Sequence, residues 1–170
     1  MYENIGFLEV RLIVHSLHEI LSQVHDMGEY IPPSIDWVRE QVELYEGSGG
    51  TEGTTLLDTG MPCILVTHKG NKSGAIRKIP LMRVKDGDGY VLVGSMGGQP
   101  KNPVWVYNLR ANPDVTIRDA TEVFEMRVRE VPEGAERDRL WQICEDVFPP
   151  YAEYKAKTSR LIPVFVAETR

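Results

Sequence analysis

The feature that most constrains the fold is a series of short runs of strand-forming residues, separated by turn residues, that begins after Pro62. The runs "CILVTH" (63–68), "AIRKIPLMRV" (75–84) and "YVLVGS" (90–95) are separated by the turns "GNKSG" (70–74) and "DGDG" (86–89). Turns as short as these connect neighbouring antiparallel strands. The segment therefore predicts an antiparallel meander.

Three later runs have the same character: "DVTIRD" (114–119), "EVFEMRVREV" (122–131) and "IPVFVAET" (162–169). In the second of these, Phe124, Met126 and Val128 alternate with charged side chains. This alternation predicts a strand with one buried and one solvated face. The last run is expected to return to the same sheet, which gives six strands in all.

Helical patterns lie before, between and after these strands. Apolar residues fall at helical spacings from about residue 6 to residue 25, and a second helix is expected to start at Ser34 as its N-cap. A short helix is predicted to follow, with Asn102 as N-cap and Pro103 at its first position. Further helices are predicted at about 132–148 and 151–160. The sequence thus predicts an α+β domain around a mostly antiparallel six-stranded barrel with peripheral helices, with 1–33 as an N-terminal helical extension and 34–170 as the barrel domain.

The distribution of charge is uneven. The chain has 19 Lys and Arg against 25 Asp and Glu, a net charge of -6, which argues against general binding to nucleic acid or to an anionic membrane. Between Thr59 and Pro113, however, eight basic side chains stand against two acidic ones. This basic window in an acidic chain predicts a binding site for a small anion.

The two cysteines, Cys63 and Cys144, match no metal-site spacing and provide no disulfide framework. They are expected to be small buried apolar residues in a reducing compartment, which makes the cytoplasm the expected location. No apolar run approaches the length of a membrane span, and the N-terminus lacks the pattern of a signal peptide.

The first candidate site is the turn "GNKSG". It contains Lys72 and Ser73 between two glycines, and Arg77 and Lys78 follow it. Cations, a hydroxyl and backbone that a ligand can approach closely suit a phosphate or carboxylate. A solvated hairpin tip is the alternative. The glycine spacing of a nucleotide-binding P-loop is absent.

The second candidate site is the glycine-rich stretch after the third predicted strand. Ser95 ends that strand, Gly97 and Gly98 follow, and Lys101 lies just before the helix expected at Asn102. The free N–H groups of a helix N-terminus bind anions, although a simple strand-to-helix connection would also need the glycines. Because both candidates lie at strand ends in the basic window, one extended ligand with several anionic groups could bridge them.

Aromatic residues form a third group. Tyr151 and Tyr154 share a helical face close to Phe148, so they form either a wall over a flat ligand or a cap on the core. His15, His18 and His25 lie in the first predicted helix without the carboxylate spacing of a metal site, so no metal is expected. No nucleophile, acid or base stands out, which indicates that any chemistry belongs to a bound cofactor.

Three blocks of the sequence carry a family resemblance: "GNKSGAIRKIPLMRV" (70–84), "GSMGGQPKNPVWVYNLRANPDV" (94–115) and "FPPYAEYKAKTSRLIPVFV" (148–166). In order and spacing they resemble the actinobacterial deazaflavin-dependent nitroreductase family, in the quinone-reductase branch of the class A flavin/deazaflavin oxidoreductases. The resemblance runs from about residue 62 to the C-terminus. It implies a split β-barrel of the FMN-binding type and the coenzyme F420, an 8-hydroxy-5-deazaflavin with a phospholactyl and polyglutamate tail. FMN is the less favoured cofactor.

The resemblance also implies the site residues. Those expected to bind the coenzyme are Asn71, Lys72, Ser73, Arg77, Lys78, Ile79, Pro80, Leu81, Met82, Val93, Gly94, Ser95, Met96, Val104, Trp105, Val106, Tyr107, Asn108 and Tyr151. Phe148, Tyr151 and Tyr154 would form the substrate pocket. Ser95, Tyr151 and Tyr154 would polarise the substrate without acting as acid or base.

Two positions depart from the family pattern. Asn71 stands where an arginine is usual, and Met96 where a lysine is common. Two cations are therefore missing, and His68, Lys69 and Lys101 are the candidates to replace them.

The resulting hypothesis is an F420H2-dependent reductase that transfers a hydride to a flat electrophile, such as a quinone, a nitroaromatic or an α,β-unsaturated carbonyl compound. The alternative is a non-catalytic or FMN-type flavin-binding split-barrel protein. The expected partner is a small molecule and not nucleic acid. Peripheral membrane association is less favoured than a cytoplasmic location, and the sequence makes no prediction of oligomeric state.

Overall fold

The computed structural model describes residues 28–170, apart from the side chain of Asp58, and its centre is one antiparallel sheet of seven strands. The strands are β1 (Cys63–Lys69), β2 (Ile76–Met82), β3 (Lys85–Asp86), β4 (Gly89–Val93), β5 (Asp114–Asp119), β6 (Glu122–Glu130) and β7 (Val164–Thr169). Their order in the sheet is β2-β1-β5-β6-β7-β4-β3. Because β7 lies between β6 and β4, the prediction that the last strand returns to the sheet is confirmed.

The sheet curls into a half-barrel. Its two ends approach each other where the N–H of Val91 donates to the carbonyl oxygen of Val84 at 2.9 Å. The predicted class, an α+β domain built on an antiparallel split barrel, is confirmed. The predicted count of six strands is wrong, because Lys85 and Asp86 pair with Tyr90 and Gly89 as a short additional strand.

Four helices and two short 3-10 turns surround the sheet within the described residues. They are α1 (Asp36–Gly47), α2 (Val104–Ala111), α3 (Ala135–Val147), α4 (Pro150–Ala156) and the 3-10 turns Leu57–Thr59 and Met96–Gly98. Two predicted N-caps are wrong. The N-cap of α1 is Ile35 and not Ser34, and the N-cap of α2 is Pro103 and not Asn102. Asn102 instead accepts a hydrogen bond from Arg160 through Oδ1 at 2.7 Å.

The core lies on the concave face of the sheet. Ile64 and Val66 of β1, Leu92 of β4 and Phe165 of β7 are buried there with Leu109 of α2. The predicted alternation of β6 is confirmed, since Met126 and Val128 are buried in this core and the charged residues between them are exposed. Burying one such side chain contributes about 1.5–3 kcal/mol, so the alternation is enough to fix which face of each strand turns inward.

The convex face is covered by helices. Helices α3 and α4 pack over β4 and β7, and α1 packs over β1 through Val42 and Tyr45. The Tyr45 hydroxyl accepts the N–H of Ala120 at 2.9 Å and donates to the carbonyl oxygen of Cys63 at 3.1 Å. Both cysteines are free and buried as predicted, and burial raises the pKa of each thiol to about 12.

The chain before α1 already belongs to the sheet. The N–H of Ile31 donates to the carbonyl oxygen of Ile76, and the N–H of Ile76 donates to that of Glu29. Residues 29–31 thus contact the start of β2, and the boundary between residues 33 and 34 stays a prediction. The first predicted helix and its three histidines lie outside the described residues. No helix between residues 28 and 170 is long and apolar enough to cross a membrane.

Candidate functional site

The first region of interest is the turn Gly70–Gly74, which we call the basic turn. Two backbone hydrogen bonds close it: the N–H of Gly70 donates to Ala75 at 2.8 Å, and the N–H of Gly74 donates to Gly70 at 2.9 Å. Gly74 has a φ of +68°, which favours glycine, and Ser73 Oγ accepts the N–H of Ala75 at 3.2 Å. Ser73 thus fixes the turn, and Lys72 projects from an exposed position within it.

Two buried residues hold the basic turn from below. Asn108 of α2 accepts the N–H of Asn71 through Oδ1 at 3.0 Å, and its amide nitrogen lies 3.4 Å from Nδ1 of His68. Both side chains are 4% exposed. The side chain of Asn108 was expected to bond the coenzyme, but the structure uses it to tie the turn to α2.

His68 carries no positive charge at neutral pH. Burial and, to a smaller extent, the nearby guanidinium of Arg77 lower the pKa of its imidazole to about 4. The neutral ring can accept a hydrogen bond from Asn108 through Nδ1. His68 is therefore neutral in this structure, and its expected role as a replacement for a missing cation stays a prediction.

The structure separates Arg77 from Lys78. Arg77 pairs with His68 across the β1–β2 ladder, whereas Lys78 pairs with Thr67 and points to the other face. There the ammonium of Lys78 forms an ion pair with Glu46 and lies 5.3 Å from the ring centre of Tyr30. Within residues 28–170, Lys72 and Arg77 have no carboxylate within 4 Å. Arg77 and Lys72 therefore keep their charges available for a ligand, and Lys78 does not share their surface.

The rest of β2 divides in the same way. Ile79 and Leu81 pack against the concave core, while Pro80 and Met82 are buried on the opposite face. The predicted coenzyme-binding run from Arg77 to Met82 does not present all its side chains to one ligand.

The second region is the loop Gly94–Asn102, which we call the glycine loop. Its start is anchored by the N–H of Gly94, which donates to Pro163 at 2.8 Å. Ser95 is in the right-handed helical region, and Met96, Gly97 and Gly98 follow with φ of +48°, +63° and +77°. A right-handed residue followed by a left-handed one makes successive N–H groups converge, and such a main-chain nest binds anions.

Three N–H groups of this nest have no acceptor among the residues that the structure describes. Those of Ser95, Met96 and Gly97 donate to none of residues 28–170, whereas the N–H of Gly98 donates to Ser95 at 2.9 Å. The predicted anion site at the helix N-terminus is thus preceded by a row of main-chain donors. Met96 supplies no cation, but its backbone belongs to that row.

Helix α2 connects the two regions. Val104 begins α2 after Pro103, and Asn108 holds the basic turn about one helical turn later, about 6 Å along the axis. The predicted residues of this helix divide between two faces: Trp105 and Val106 are buried in the core, and Val104 and Tyr107 are exposed. Val93, at the end of β4, is also buried, against the helices of the convex side.

The aromatic residues come together as predicted. The ring centres of Phe148, Tyr151 and Tyr154 lie 5.0 to 6.2 Å apart, and Tyr151 also packs against Trp141. Tyr151 is 5% exposed, and burial raises the pKa of its hydroxyl, so it stays protonated at neutral pH. Tyr151 completes the core, while Tyr154 is only half-buried.

This aromatic group lies against the glycine loop. Gly98 approaches α4 so closely that a Cβ there would stand 2.6 Å from the carbonyl oxygen of Tyr154. The last predicted block and the middle one are thus in direct contact.

Sequence reasoning missed Arg160. Its half-buried guanidinium bonds both ends of the glycine loop, including the carbonyl oxygen of Ser95 at 2.7 Å and Asn102 Oδ1 at 2.7 Å. About sixty residues separate Arg160 from these partners. No local pattern could have shown the contact.

A cavity of about 560 Å³ is lined by residues of β1, β2 and β5, and His68, Lys69 and Lys78 are among them. Its lining includes Tyr30, Glu46, Lys78 and Arg118, and its charged groups largely pair with one another. Among the described residues that line it are none of the glycine loop or of the aromatic group. We call the surface formed by the basic turn, α2 and the glycine loop the rim, and its role in binding stays a prediction.

The chain is similar to known proteins in sequence and in fold. The family model described as F420H(2)-dependent quinone reductase matches residues 37–169. An F420H(2)-dependent quinone reductase of Mycobacterium tuberculosis (strain ATCC 25618 / H37Rv) is 38% identical over 130 residues, which are 75% of this chain and 86% of that protein.

Two solved structures are also similar. One, titled as a structure of an F420-H2 dependent reductase (FDR-A), is 47% identical, with a TM-score of 0.60, and the match covers 63% of this chain and 94% of that one. The other, titled as a domain-swapped dimer, is also 47% identical, with a TM-score of 0.62, and the match covers 78% of this chain and 98% of that one.

Proposed function

The chain belongs to the F420H(2)-dependent quinone reductase family, and we propose that it binds reduced coenzyme F420 along the rim described above and reduces a quinone there. The reductase activity and the coenzyme follow from the family. The residue roles below are our proposals, and they rest on the geometry of the basic turn, the glycine loop and the aromatic group.

The residues of the rim fit such a coenzyme. Its tail is a chain of phosphate and carboxylate groups, and the rim offers Lys72 and Arg77 without a carboxylate partner in residues 28–170. The N–H groups of Ser95, Met96 and Gly97 add neutral donors that converge on one side of the glycine loop. Anions are stabilised both by such cations and by such a nest.

The division of labour between the two regions follows from their charges. Lys72 and Arg77 bind the anionic tail, and the glycine loop lies along the middle of the coenzyme. Lys78 is left out of this site, because it is paired with Glu46 on the other face of β2. Lys69 and Lys101 remain the candidates to replace the cations missing at Asn71 and Met96.

When bound, the deazaflavin supplies a hydride from its ring carbon C5. The protein binds and orients the two flat molecules and excludes water. Tyr151 remains protonated because burial raises its pKa, so its hydroxyl can donate a hydrogen bond to an acceptor oxygen as negative charge develops there. Ser95 is the second candidate donor. Addition of the hydride to the quinone leaves a hydroquinone anion, which takes the one proton that it needs from water, since no residue is proposed as an acid.

The proposal also includes further acceptors and a cellular location. Nitroaromatics and α,β-unsaturated carbonyl compounds are further acceptors of the same flat, electrophilic class. A cytoplasmic location is supported by the two unpaired cysteines, which persist as thiols in a reducing compartment.

The observation that carries the proposal is that α2 connects two groups of donors without partners in residues 28–170: the cations beside Asn108 and the N–H groups of the loop before Pro103. The test is a fluorescence titration of the purified protein with F420 and, in parallel, with FMN. We expect saturable quenching with F420 and weaker binding of FMN. Absence of saturation with F420 would refute the proposed coenzyme site.

Turnover distinguishes a reductase from a carrier protein. With F420H2 and menadione, a reductase oxidises the reduced coenzyme continuously, whereas a carrier binds it without turnover. Oxidation that requires the protein and saturates with menadione is the expected result. Binding without oxidation would support the alternative of a non-catalytic deazaflavin-binding protein.

A further inference from the structure

The side chain of Arg160 forms hydrogen bonds with four residues of the glycine loop. Its Nη2 donates to the carbonyl oxygens of Gly94 at 3.1 Å and Ser95 at 2.7 Å. Its Nε donates to the carbonyl oxygen of Gln99 at 2.8 Å, and its Nη1 donates to Asn102 Oδ1 at 2.7 Å. One planar guanidinium therefore spans the loop from the end of β4 to the residue before Pro103.

All four acceptors are neutral. Within residues 28–170, no carboxylate lies within 4 Å of Arg160, unlike Arg110, Arg129 and Arg139, which all have ion pairs. The guanidinium of Arg160 keeps its proton at any ordinary pH. It therefore makes charge-assisted hydrogen bonds to the loop and leaves a net positive charge beside it.

The bonds to Arg160 also set the direction of the loop backbone. They hold the carbonyl oxygens of Gly94 and Ser95 on the side of Arg160. The N–H groups of Ser95, Met96 and Gly97 donate to no described residue. A loop with three successive positive φ angles, one of them at the non-glycine Met96, is unfavourable by itself and needs such outside support.

We infer that Arg160 is a positioning residue, which holds the glycine loop in the conformation that presents these N–H groups to the coenzyme. The inference rests on the proposed function, since it assigns the loop to coenzyme binding. Arg160 acts through the loop, and it need not touch the coenzyme. It belongs to the segment that leads from α4 into β7 and fixes a loop about sixty residues earlier in the chain.

The test compares Arg160→Met, Arg160→Lys and the matched control Arg139→Met. Arg139 also donates two hydrogen bonds between elements, at 2.8 and 2.7 Å, but its partner is Asp86 in β3, which is not part of the loop.

The Kd for F420 is measured by fluorescence titration. Without the hydrogen bonds of Arg160, the loop would become ordered only when the coenzyme binds, and the entropy lost in ordering it would reduce the binding free energy. We therefore expect the Kd to rise about tenfold in Arg160→Met. Arg160→Lys should show a smaller rise, and Arg139→Met no change.

Two further measurements separate a positioning role from general destabilisation. Adding guanidinium chloride to Arg160→Met should lower the Kd relative to an equal concentration of sodium chloride, because the ion can occupy the vacated site. Amide hydrogen exchange in the ligand-free protein should become faster in residues 94–102 of Arg160→Met and remain unchanged in the basic turn.

The outcomes distinguish this inference from the proposed function. If the wild-type protein shows no saturable binding of F420, the proposed function fails, and the inference fails with it. If the wild-type protein binds F420 and Arg160→Met binds it equally well, only the inference is overturned. Unchanged exchange of residues 94–102 in Arg160→Met would also overturn it.

Discussion

The basic turn and the glycine loop both serve anion binding in our proposal, but they are built in opposite ways. The basic turn offers cationic side chains, Lys72 within it and Arg77 beyond it, and is held by a neutral buried pair, Asn108 and His68. The glycine loop offers neutral main-chain N–H groups and is held by a cation, Arg160. In one region the charge faces the ligand, and in the other it faces the protein.

This difference indicates how each region should respond to change. A side-chain cation can be removed without disturbing the backbone, so substitutions in the basic turn should affect binding more than folding. A main-chain donor cannot be removed by substitution, so changes in the glycine loop act through its conformation. The predictions below test this contrast.

The largest effect is expected from Lys72→Ala combined with Arg77→Ala. A hydrogen bond to a charged group contributes about 1.5–3 kcal/mol, so loss of both cations should weaken F420 binding by about a hundredfold or more. The free energy of unfolding should change little. Lys78→Ala is the matched control, because Lys78 is paired with Glu46 on the other face and should leave the Kd unchanged. Equal loss of affinity in the control would contradict our placement of the site.

In the glycine loop, Gly98→Ala should destabilise the fold, and Gly97→Ala should do so much less. Both residues have positive φ, but a Cβ at Gly98 would overlap the carbonyl oxygen of Tyr154, and a Cβ at Gly97 meets nothing within 4 Å. We expect a loss of about 2–4 kcal/mol in the free energy of unfolding for Gly98→Ala and about 1 kcal/mol for Gly97→Ala. Urea denaturation measures both, and equal losses would show that α4 does not restrain the loop.

The neutral support of the basic turn predicts a dependence of stability on pH. Burial lowers the pKa of His68 from 6.5 to about 4, so between these values the unfolded chain binds a proton that the folded protein does not. The free energy of unfolding should therefore fall as the pH is lowered from about 7, by about 2.5 kcal/mol at pH 4.5, and the contribution of His68 should level off below pH 4.

The measurement is urea denaturation of the wild-type protein and His68→Gln at pH 7 and pH 4.5. Glutamine does not titrate in this range, so the difference between the two proteins isolates His68 from the other groups. An identical dependence on pH in both would show that His68 is not held neutral.

The smallest effect is expected from Asn108→Ala. The substitution leaves the N–H of Asn71 without its acceptor and should cost about 1–2 kcal/mol in the free energy of unfolding, with a several-fold rise in the Kd for F420. Amide exchange should become faster in residues 70–74 but not in 94–102. Faster exchange in both segments would mean that the two regions are not supported independently.

The sequence predicted the architecture well because its strands carry local signals. The alternation in β6 and the turn residues after β1 specify which residues pair and which face is buried. The same alternation, applied to β2, would have separated Arg77 from Lys78, since neighbouring residues of a strand point to opposite faces. Once residues 77–82 are predicted to form a strand, the sequence also predicts that their side chains divide between its two faces.

Other features depend on contacts between distant segments. Asn102 has the character of an N-cap, but Arg160 binds its side chain instead, and Pro103 takes the N-cap position. Asn108 looked like a ligand residue, but it is buried beneath the basic turn. The charge state of His68 depends on its burial, which a residue at the end of a strand does not reveal. The contacts of Asn102 and Asn108 are with residues more than thirty positions away in the sequence. The burial of His68 results from the curl of the sheet.

The close approach of Gly98 to Tyr154 has a consequence for engineering this protein. The glycine loop, which we propose to bind the coenzyme, is in direct contact with α4, which carries Tyr151 and Tyr154. Substitutions that shift the backbone of α4 to alter acceptor preference should therefore also change the binding of the coenzyme. The effects of substitutions in α4 and in the glycine loop should then not be additive. Libraries that vary only the side chains of Phe148 and Tyr154, with Gly98 kept, should allow acceptor preference to evolve separately.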